Sequence, residues 1–182
     1  LSDEAKVIGA VNCITIHHDE DSNTPLLKGY NTDAHGFEMS LTPLLNNDHR
    51  QALVLGNGGA AKAVLYVLAK LNIPYLIVSR TRENGDITYA ELTEEIIEQH
   101  QIIINCSPVG TFPNTEESPA IPYQAISEGH ILYDLIYNPE ETLFLKKGKE
   151  KGGTIKNGYE MLVLQAEKNW EIWTQDHDKA YI

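Results

Sequence analysis

Positive charge, cysteine and long apolar runs are all scarce in this chain. Its 182 residues hold 14 Lys and Arg against 26 Asp and Glu, a formal net charge of −12, which argues against nucleic acid or an anionic membrane as partner. The same balance means that a phosphate or carboxylate ligand must be captured by local donors, because the overall field repels it. No apolar run is long enough to span a bilayer, and no basic stretch followed by an apolar one opens the sequence. The two cysteines, Cys13 and Cys106, lie far apart in apolar, strand-like surroundings with no paired-ligand spacing. They read as small buried thiols in a reducing cytoplasm. The seven histidines show no ligand pattern either. His17-His18 runs into Asp19, Glu20 and Asp21, which reads as an exposed acidic turn between strands, and no metal is expected.

What is present is the composition of an ordinary soluble globular protein, with 42% hydrophobic and 22% charged residues. The length suits one domain or one and a half. The sequence begins with Leu1, and its first residues resemble a domain interior, so the chain is expected to lack its natural beginning. Three blocks are expected: residues 1–47, 48–156 and 157–182. In the first, strands are expected over 11–16 and 27–31, with a turn over 19–25 between them. A helix follows over 34–45, with Asp33 as N-cap and Pro43 weakening its last turn. In the second, strands over 52–56, 74–79, 101–106, 131–136 and near 154–155 alternate with helices over 59–71, 89–99 and 140–151. That alternation implies an α/β fold: a Rossmann-like parallel sheet with helices on both faces. The third block is a terminal helix whose stripe includes Met161, Leu162, Gln165, Ala166, Asn169, Trp170 and Trp173, followed by a polar tail from Gln175. Gln and Asn on such a stripe need partners if buried.

The most informative stretch is Leu53 to Ala63, an apolar strand, a glycine-rich turn and a helix. Glycines let the chain turn tightly, and the following helix presents unpaired N–H groups to a phosphate. The spacing Gly56-x-Gly58-Gly59 departs from G-x-G-x-x-G, with Ala61 in place of the third glycine. The next strand ends in Ser79-Arg80-Thr81-Arg82, where an NAD site would carry an acidic residue to accept bonds from the ribose 2′-hydroxyl. A guanidinium pairs instead with a 2′-phosphate, so NADP is the expected cofactor.

Several motifs coincide in order: Gly9-Ala10-Val11-Asn12, Gly29-Tyr30-Asn31-Thr32-Asp33, the Gly56 turn, Ser79-Arg80-Thr81, Ile104 to Gly110, Tyr133 to Pro139, and Asn157-Gly158 through Gln165. Together they resemble the shikimate dehydrogenase family from about residue 7 to Trp173. The resemblance implies NADPH-dependent reduction of 3-dehydroshikimate to shikimate in aromatic amino-acid biosynthesis. It makes residues 1–47 part of an incomplete α/β substrate domain, 48–156 the NADP-binding domain, and 157–182 a helix returning to the substrate domain. It also implies that Asn12, Asp33, Tyr137 and Gln165 bind substrate and that Asp33 is catalytic, paired with a lysine. Gly56, Asn57, Gly58, Gly59, Ala60, Ser79, Arg80, Thr81, Ser107, Gly158 and Met161 are implied to hold the cofactor.

The chain departs from the family pattern in three places. The family's lysine motif and substrate-carboxylate serines, which lie upstream of Gly-Ala-Val-Asn, are absent, and Lys6 is the only lysine before Asn12. Ser79 stands where the family often has Asn. Asn84 stands where a second arginine often follows, which weakens NADP selectivity unless Arg82 takes over. Little or no turnover is therefore expected of these 182 residues. The alternatives are a quinate/shikimate dehydrogenase with relaxed cofactor use and a dinucleotide-binding module without catalysis. Apolar surface is expected on the first-block strands and the terminal helix, with self-association or disorder of residues 1–47 as its consequence.

Overall fold

The computed structural model describes residues 1–17 and 24–177. In chain order the elements are α1 (Asp3–Ile8), β1 (Cys13–His17), β2 (Leu26–Tyr30), α2 (Asp33–Leu41), β3 (Ala52–Leu55), α3 (Gly59–Lys70), β4 (Tyr75–Ser79), β5 (Ile87–Thr88), α4 (Glu94–Gln99), β6 (Ile102–Asn105), β7 (Ile131–Asp134), α5 (Leu143–Glu150), β8 (Thr154–Lys156) and α6 (Tyr159–His177). β1 and β2 form an antiparallel pair, and the other six strands form one sheet in the order β5-β4-β3-β6-β7-β8. Every pairing in that sheet is parallel. The strand order reverses between β3 and β6, and the crevice at the carboxyl ends of such strands is where α/β sheets bind ligands.

The central strands are buried on both sides, so their side chains divide between two cores. Ala52, Val54, Ile102, Ile104 and Tyr133 face Phe37 and Leu41 of α2, Val64 and Val67 of α3, and Met161 of α6. Leu53, Leu55, Ile103 and Leu132 face Ile97 of α4 and Phe144 of α5. The alternation explains why these strands read as continuous apolar runs rather than as polar–apolar alternation. Helices therefore cover both faces, as the sequence predicts.

Local chemistry accounts for the places where elements differ from expectation. The helix expected over 89–99 is divided, because Thr88 caps a 3-10 turn at Tyr89–Glu91 and Thr93 caps α4 separately. β5 was not anticipated, being two residues long and flanked by polar ones. Nor was α1, which Ser2 caps by accepting the Ala5 N–H at 3.1 Å and Gly9 ends at φ 67°. Asp33 is not an N-cap but the first residue of α2, and Thr32 before it makes no capping bond. Asn31 instead takes the capping role, its Oδ1 accepting the Ala34 N–H at 3.1 Å. The α2 helix stops at Leu41, and Pro43 lies in a 3-10 turn that follows.

The apolar surface expected on the first block is present. Ile14, Ile16, Leu26 and Leu27 of the two-stranded sheet are exposed, as is Trp170 of α6. The acidic stretch 19–23 and the tail beyond 177 lie outside the described residues. On α6 the expected stripe is only partly correct: Met161 is buried and Gln165 and Asn169 half-buried, but Ala166 and Trp170 face outward.

The α6 helix reaches the sheet by crossing α2 at Gly36. A Cβ placed there would lie 2.5 Å from the Met161 carbonyl oxygen and 3.2 Å from Gln165 Cβ. Because the nearest obstacle is backbone, the helices themselves would have to part. Gly36→Ala is expected to destabilise the fold by about 2 kcal/mol, the usual cost of overpacking a tight contact. Urea unfolding checks this, and a change under about 0.5 kcal/mol, the scale of an inert surface substitution, would contradict a close crossing.

Candidate active site

Three chain segments meet at the carboxyl ends of β3, β4 and β6. Gly56, directly after β3, has φ 103°, and a Cβ there would sit 3.3 Å from the Ser107 backbone nitrogen. Both facts demand glycine. Gly58 and Gly59 differ, since a Cβ on either would meet nothing within 4 Å. Packing within the chain therefore gives no reason for these two glycines, and they leave open space at the start of α3. Gly58 is the N-cap and has no side-chain cap, so the first N–H groups of α3, including that of Ala60, have no side-chain acceptor from the cap. An uncapped helix N-terminus beneath an open glycine surface suits a phosphate.

The loop after β4 is held rigidly by its own polar groups. The buried Ser79 hydroxyl accepts the Thr81 N–H at 3.2 Å and donates to the Thr81 carbonyl. Asn84 Nδ2 donates to Thr81 Oγ1 at 3.0 Å, which leaves the hydroxyl hydrogen to point elsewhere. Asn57 Nδ2 donates to the Asn84 carbonyl at 2.9 Å and so ties the glycine turn to this loop. Arg80 is exposed and makes no ion pair among the described residues. Arg82, by contrast, is committed to Glu91.

A buried polar knot anchors the third segment. Asp134, fully buried at the end of β7, accepts from Asn105 Nδ2 at 3.0 Å, the Ile136 N–H at 3.1 Å and the Thr142 hydroxyl at 2.6 Å. Asn105 in turn accepts from the Ser107 N–H at 3.0 Å and hydroxyl at 2.6 Å. Burial raises the Asp134 carboxyl to about 6, against the opposing pull of its hydrogen-bond donors. The knot fixes Ser107 beside Gly56.

Next to the glycine turn lies a cleft of about 310 Å³ lined by Asn12, Asp33, Ala60, Leu135, Tyr137, Gly158, Met161, Leu162 and Gln165. Asn12 Oδ1 accepts the Thr32 N–H at 2.8 Å, which settles the orientation of its amide. Its Nδ2 then donates to Thr32 Oγ1 at 3.0 Å and to Asp33 Oδ1 at 2.8 Å. The Thr32 hydroxyl passes the chain of bonds on to Asn169 Oδ1 at 2.7 Å. Asn169 Nδ2 donates to Gln165 Oε1 at 3.1 Å, and Gln165 Nε2 to the Leu162 carbonyl at 3.0 Å. After this, Asp33 keeps one carboxylate oxygen and Gln165 one amide hydrogen for the cleft. A hydroxyl group, which both donates and accepts, matches that pair. Burial raises the Asp33 carboxyl above its ordinary value, partly opposed by the Asn12 bond.

The structure thus brings Asn12, Asp33, Tyr137, Gly158, Met161 and Gln165 into one cleft with Ala60. Gly58 and Gly59 open the neighbouring turn, with Asn57, Arg80 and Thr81 beyond it. Gly158 admits no Cβ because the Leu135 carbonyl oxygen occupies that space. Ser79 and Ser107 shape loops from within. Lys6 does not line the cleft: it sits on α1, paired with Asp3 at 2.9 Å. Sequence reasoning gave no role to Thr32, Asn169, Asn105 or Asp134. Asn169 was the readable one of these, lying four residues beyond Gln165 on one helix face.

The sheet order, the glycine turn at the switch point and the adjoining polar cleft define a Rossmann-like α/β protein. No family model matches the chain. It is 36% identical over 96% of its length to the NADP(+) shikimate dehydrogenase of Methanococcus aeolicus, covering 66% of that protein. To the corresponding enzyme of Methanococcus maripaludis strain C6 it is 35% identical over its whole length, covering 68% of it. A solved structure of shikimate 5-dehydrogenase from Thermus thermophilus, in complex with NADP(H) and shikimate, matches with a TM-score of 0.78. That match has 31% identity and covers 96% of this chain and 66% of the other. The chain belongs to the shikimate dehydrogenase family, and it spans about two thirds of the length of these relatives.

The Asp134 knot carries a pH signature. Its carboxyl titrates near 6 in the folded protein and near ~3.9 when unfolded. Folding stability from this group is therefore fully present below about pH 4 and is lost as pH rises through 6. Urea unfolding across pH 4 to 7 should show a fall on the order of 2 kcal/mol from this group. In Asp134→Asn the amide can still bond Asn105, Ile136 and Thr142, and the slope should flatten. An identical slope in both proteins would contradict the assignment.

Proposed function

We propose that this chain carries the cofactor site and part of the substrate site of an NADP-dependent shikimate dehydrogenase, which interconverts 3-dehydroshikimate and shikimate. The observation that carries the reading is the placement of Asp33 and Gln165 across one cleft, directly beside the uncapped start of α3. The names of the relatives, which specify NADP(+), support it.

The residues present fit the cofactor. Gly58, Gly59 and Ala60 would take the pyrophosphate in the open space a Cβ would fill. Arg80 and the Thr81 hydroxyl would receive the 2′-phosphate, and Gly158 and Met161 would flank the nicotinamide. When bound, a nicotinamide dinucleotide supplies or accepts the hydride. The chain's own residues do the remaining work. Asp33 and Gln165 hold a ring hydroxyl between them, Asn12 fixes the Asp33 carboxylate in place by its bond at 2.8 Å, and Tyr137 extends the polar wall. Leu135, Met161 and Leu162 exclude water from the cleft floor, which strengthens each polar contact.

Hydride addition to a ketone develops negative charge on oxygen, and a proton must arrive there. Among the described residues lining the cleft, Asp33 is the sole carboxyl group and no lysine is present. An aspartate that orients a general acid is not a full substitute for one. These 182 residues are therefore proposed to bind both ligands while turning over weakly.

Two measurements test the reading. Calorimetric titration should give tighter binding of NADP⁺ than of NAD⁺. Arg80→Gln should weaken NADP⁺ by roughly tenfold or more, the worth of a charge-assisted contact, with NAD⁺ little changed. Equal losses for both dinucleotides would remove Arg80 from the 2′-phosphate. NADPH oxidation with 3-dehydroshikimate should stay near background for the purified chain, and robust turnover would show that the cleft already holds its proton donor.

A further inference from the structure

The loop that follows β4 contains two arginines, and the structure treats them differently. Arg80 is exposed and makes no ion pair among the described residues. Arg82 engages all three guanidinium nitrogens with the chain itself, leaving one hydrogen on each of Nη1 and Nη2: Nε and Nη2 both donate to Glu91 Oε1, at 3.2 and 2.5 Å, and Nη1 donates to the Asp86 carbonyl. Glu91 is more fully engaged, with two donors on each oxygen. Its second oxygen accepts from the Thr88 N–H and the Thr88 hydroxyl, each at 2.8 Å. These bonds hold the Glu91 carboxyl down at about 2, with Arg82 the largest cause, so it stays ionised across any ordinary pH.

Building on the NADP reading above, we propose that Glu91 is a specificity-setting residue: it withholds Arg82 from the 2′-phosphate, so that discrimination between the phosphorylated and unphosphorylated dinucleotide rests on Arg80. The geometry supplies the reason. A phosphate is best held by a pair of parallel donors on an unpaired cation, and three of the five Arg82 N–H groups, together with its charge, are already engaged by Glu91 and the Asp86 carbonyl. The loop cannot easily reorient, because Asn57, Ser79 and Asn84 fix its other bonds. Glu91 also adds a permanent negative charge beside an anion site in a chain whose net charge is already −12.

The Arg82–Glu91 pair is solvent-exposed, and exposed pairs are weak ties. Its removal should therefore change affinity several-fold rather than a hundredfold. Glu91→Gln is the informative substitution, because a glutamine carbonyl can still accept from Thr88 while its amide no longer holds a guanidinium. Calorimetric titrations of the 182-residue chain with NADP⁺ and NAD⁺ form the test, on wild type, Glu91→Gln, Arg82→Gln and the double variant. Thermal unfolding of each confirms that it is folded.

The expected result is a three- to tenfold gain in NADP⁺ affinity for Glu91→Gln, NAD⁺ unchanged within twofold, and loss of that gain when Arg82→Gln is added. An unchanged or lower NADP⁺ preference in Glu91→Gln overturns the proposal. So does a gain that persists in the double variant, since it would come from the removed charge and not from a released Arg82. A wild type with no preference for NADP⁺ would bring down the cofactor reading itself, and this inference with it. A wild type that prefers NADP⁺ while Glu91→Gln does nothing would sink only the inference.

Discussion

The candidate site depends on a missing side chain. Gly36 lets α2 and α6 touch backbone to backbone, with room for no Cβ between them. That contact brings the start of α2, where Asp33 lies, to the middle of α6, where Gln165 lies. It also lowers Met161 into the core above β3 and β6. Part the helices, and the cleft loses one wall while the sheet loses part of its cover.

From that crossing the polar network follows almost by necessity. Thr32, Asn12, Gln165 and Asn169 are held too close to one another to be left unbonded, and half-buried amides without partners are costly. Their bonds run in one direction, from the Asn12 amide through the Thr32 hydroxyl to Asn169 and Gln165. The network uses up most of their capacity and leaves one acceptor on Asp33 and one donor on Gln165. What remains is a small, oriented set rather than a diffuse polar surface. On the far side of the sheet edge the Asp134 knot does a similar job for the Ser107 loop. Both devices fix backbone beside a space whose own lining is largely apolar.

Much of this was legible from local rules. Apolar runs bounded by turn residues gave five of the six strands of the main sheet, and the strand–glycine–helix order marked the turn after β3 as an anion site. The failures have physical causes. In Asn31-Thr32-Asp33 all three residues are good caps, and local sequence cannot say which one; Asp33 is the first helical residue with its carboxylate bonded to Asn12, and Asn31 accepts the Ala34 N–H. Gly36 drew no reading from local sequence, because its reason lies in α6, more than a hundred residues away. The outward-facing Trp170 could not be told from a core residue by periodicity, since its stripe is apolar whichever way it points. Arg82 looked able to replace a missing arginine, and only the position of Glu91 reveals that it is occupied.

On the function proposed above, one cleft framed by α2 and α6 receives a hydroxylated ring beside a dinucleotide site. Amide NMR of the isotopically labelled chain tests it most directly, by titration with shikimate in the presence of NADP⁺. Shikimate is expected to shift the side-chain amide signals of Asn12, Gln165 and Asn169 together, while NADP⁺ shifts the backbone amides of Gly58 to Ala61 and Arg80. A chain that binds NADP⁺ but shows no shikimate-dependent movement of those three side-chain amides would contradict it.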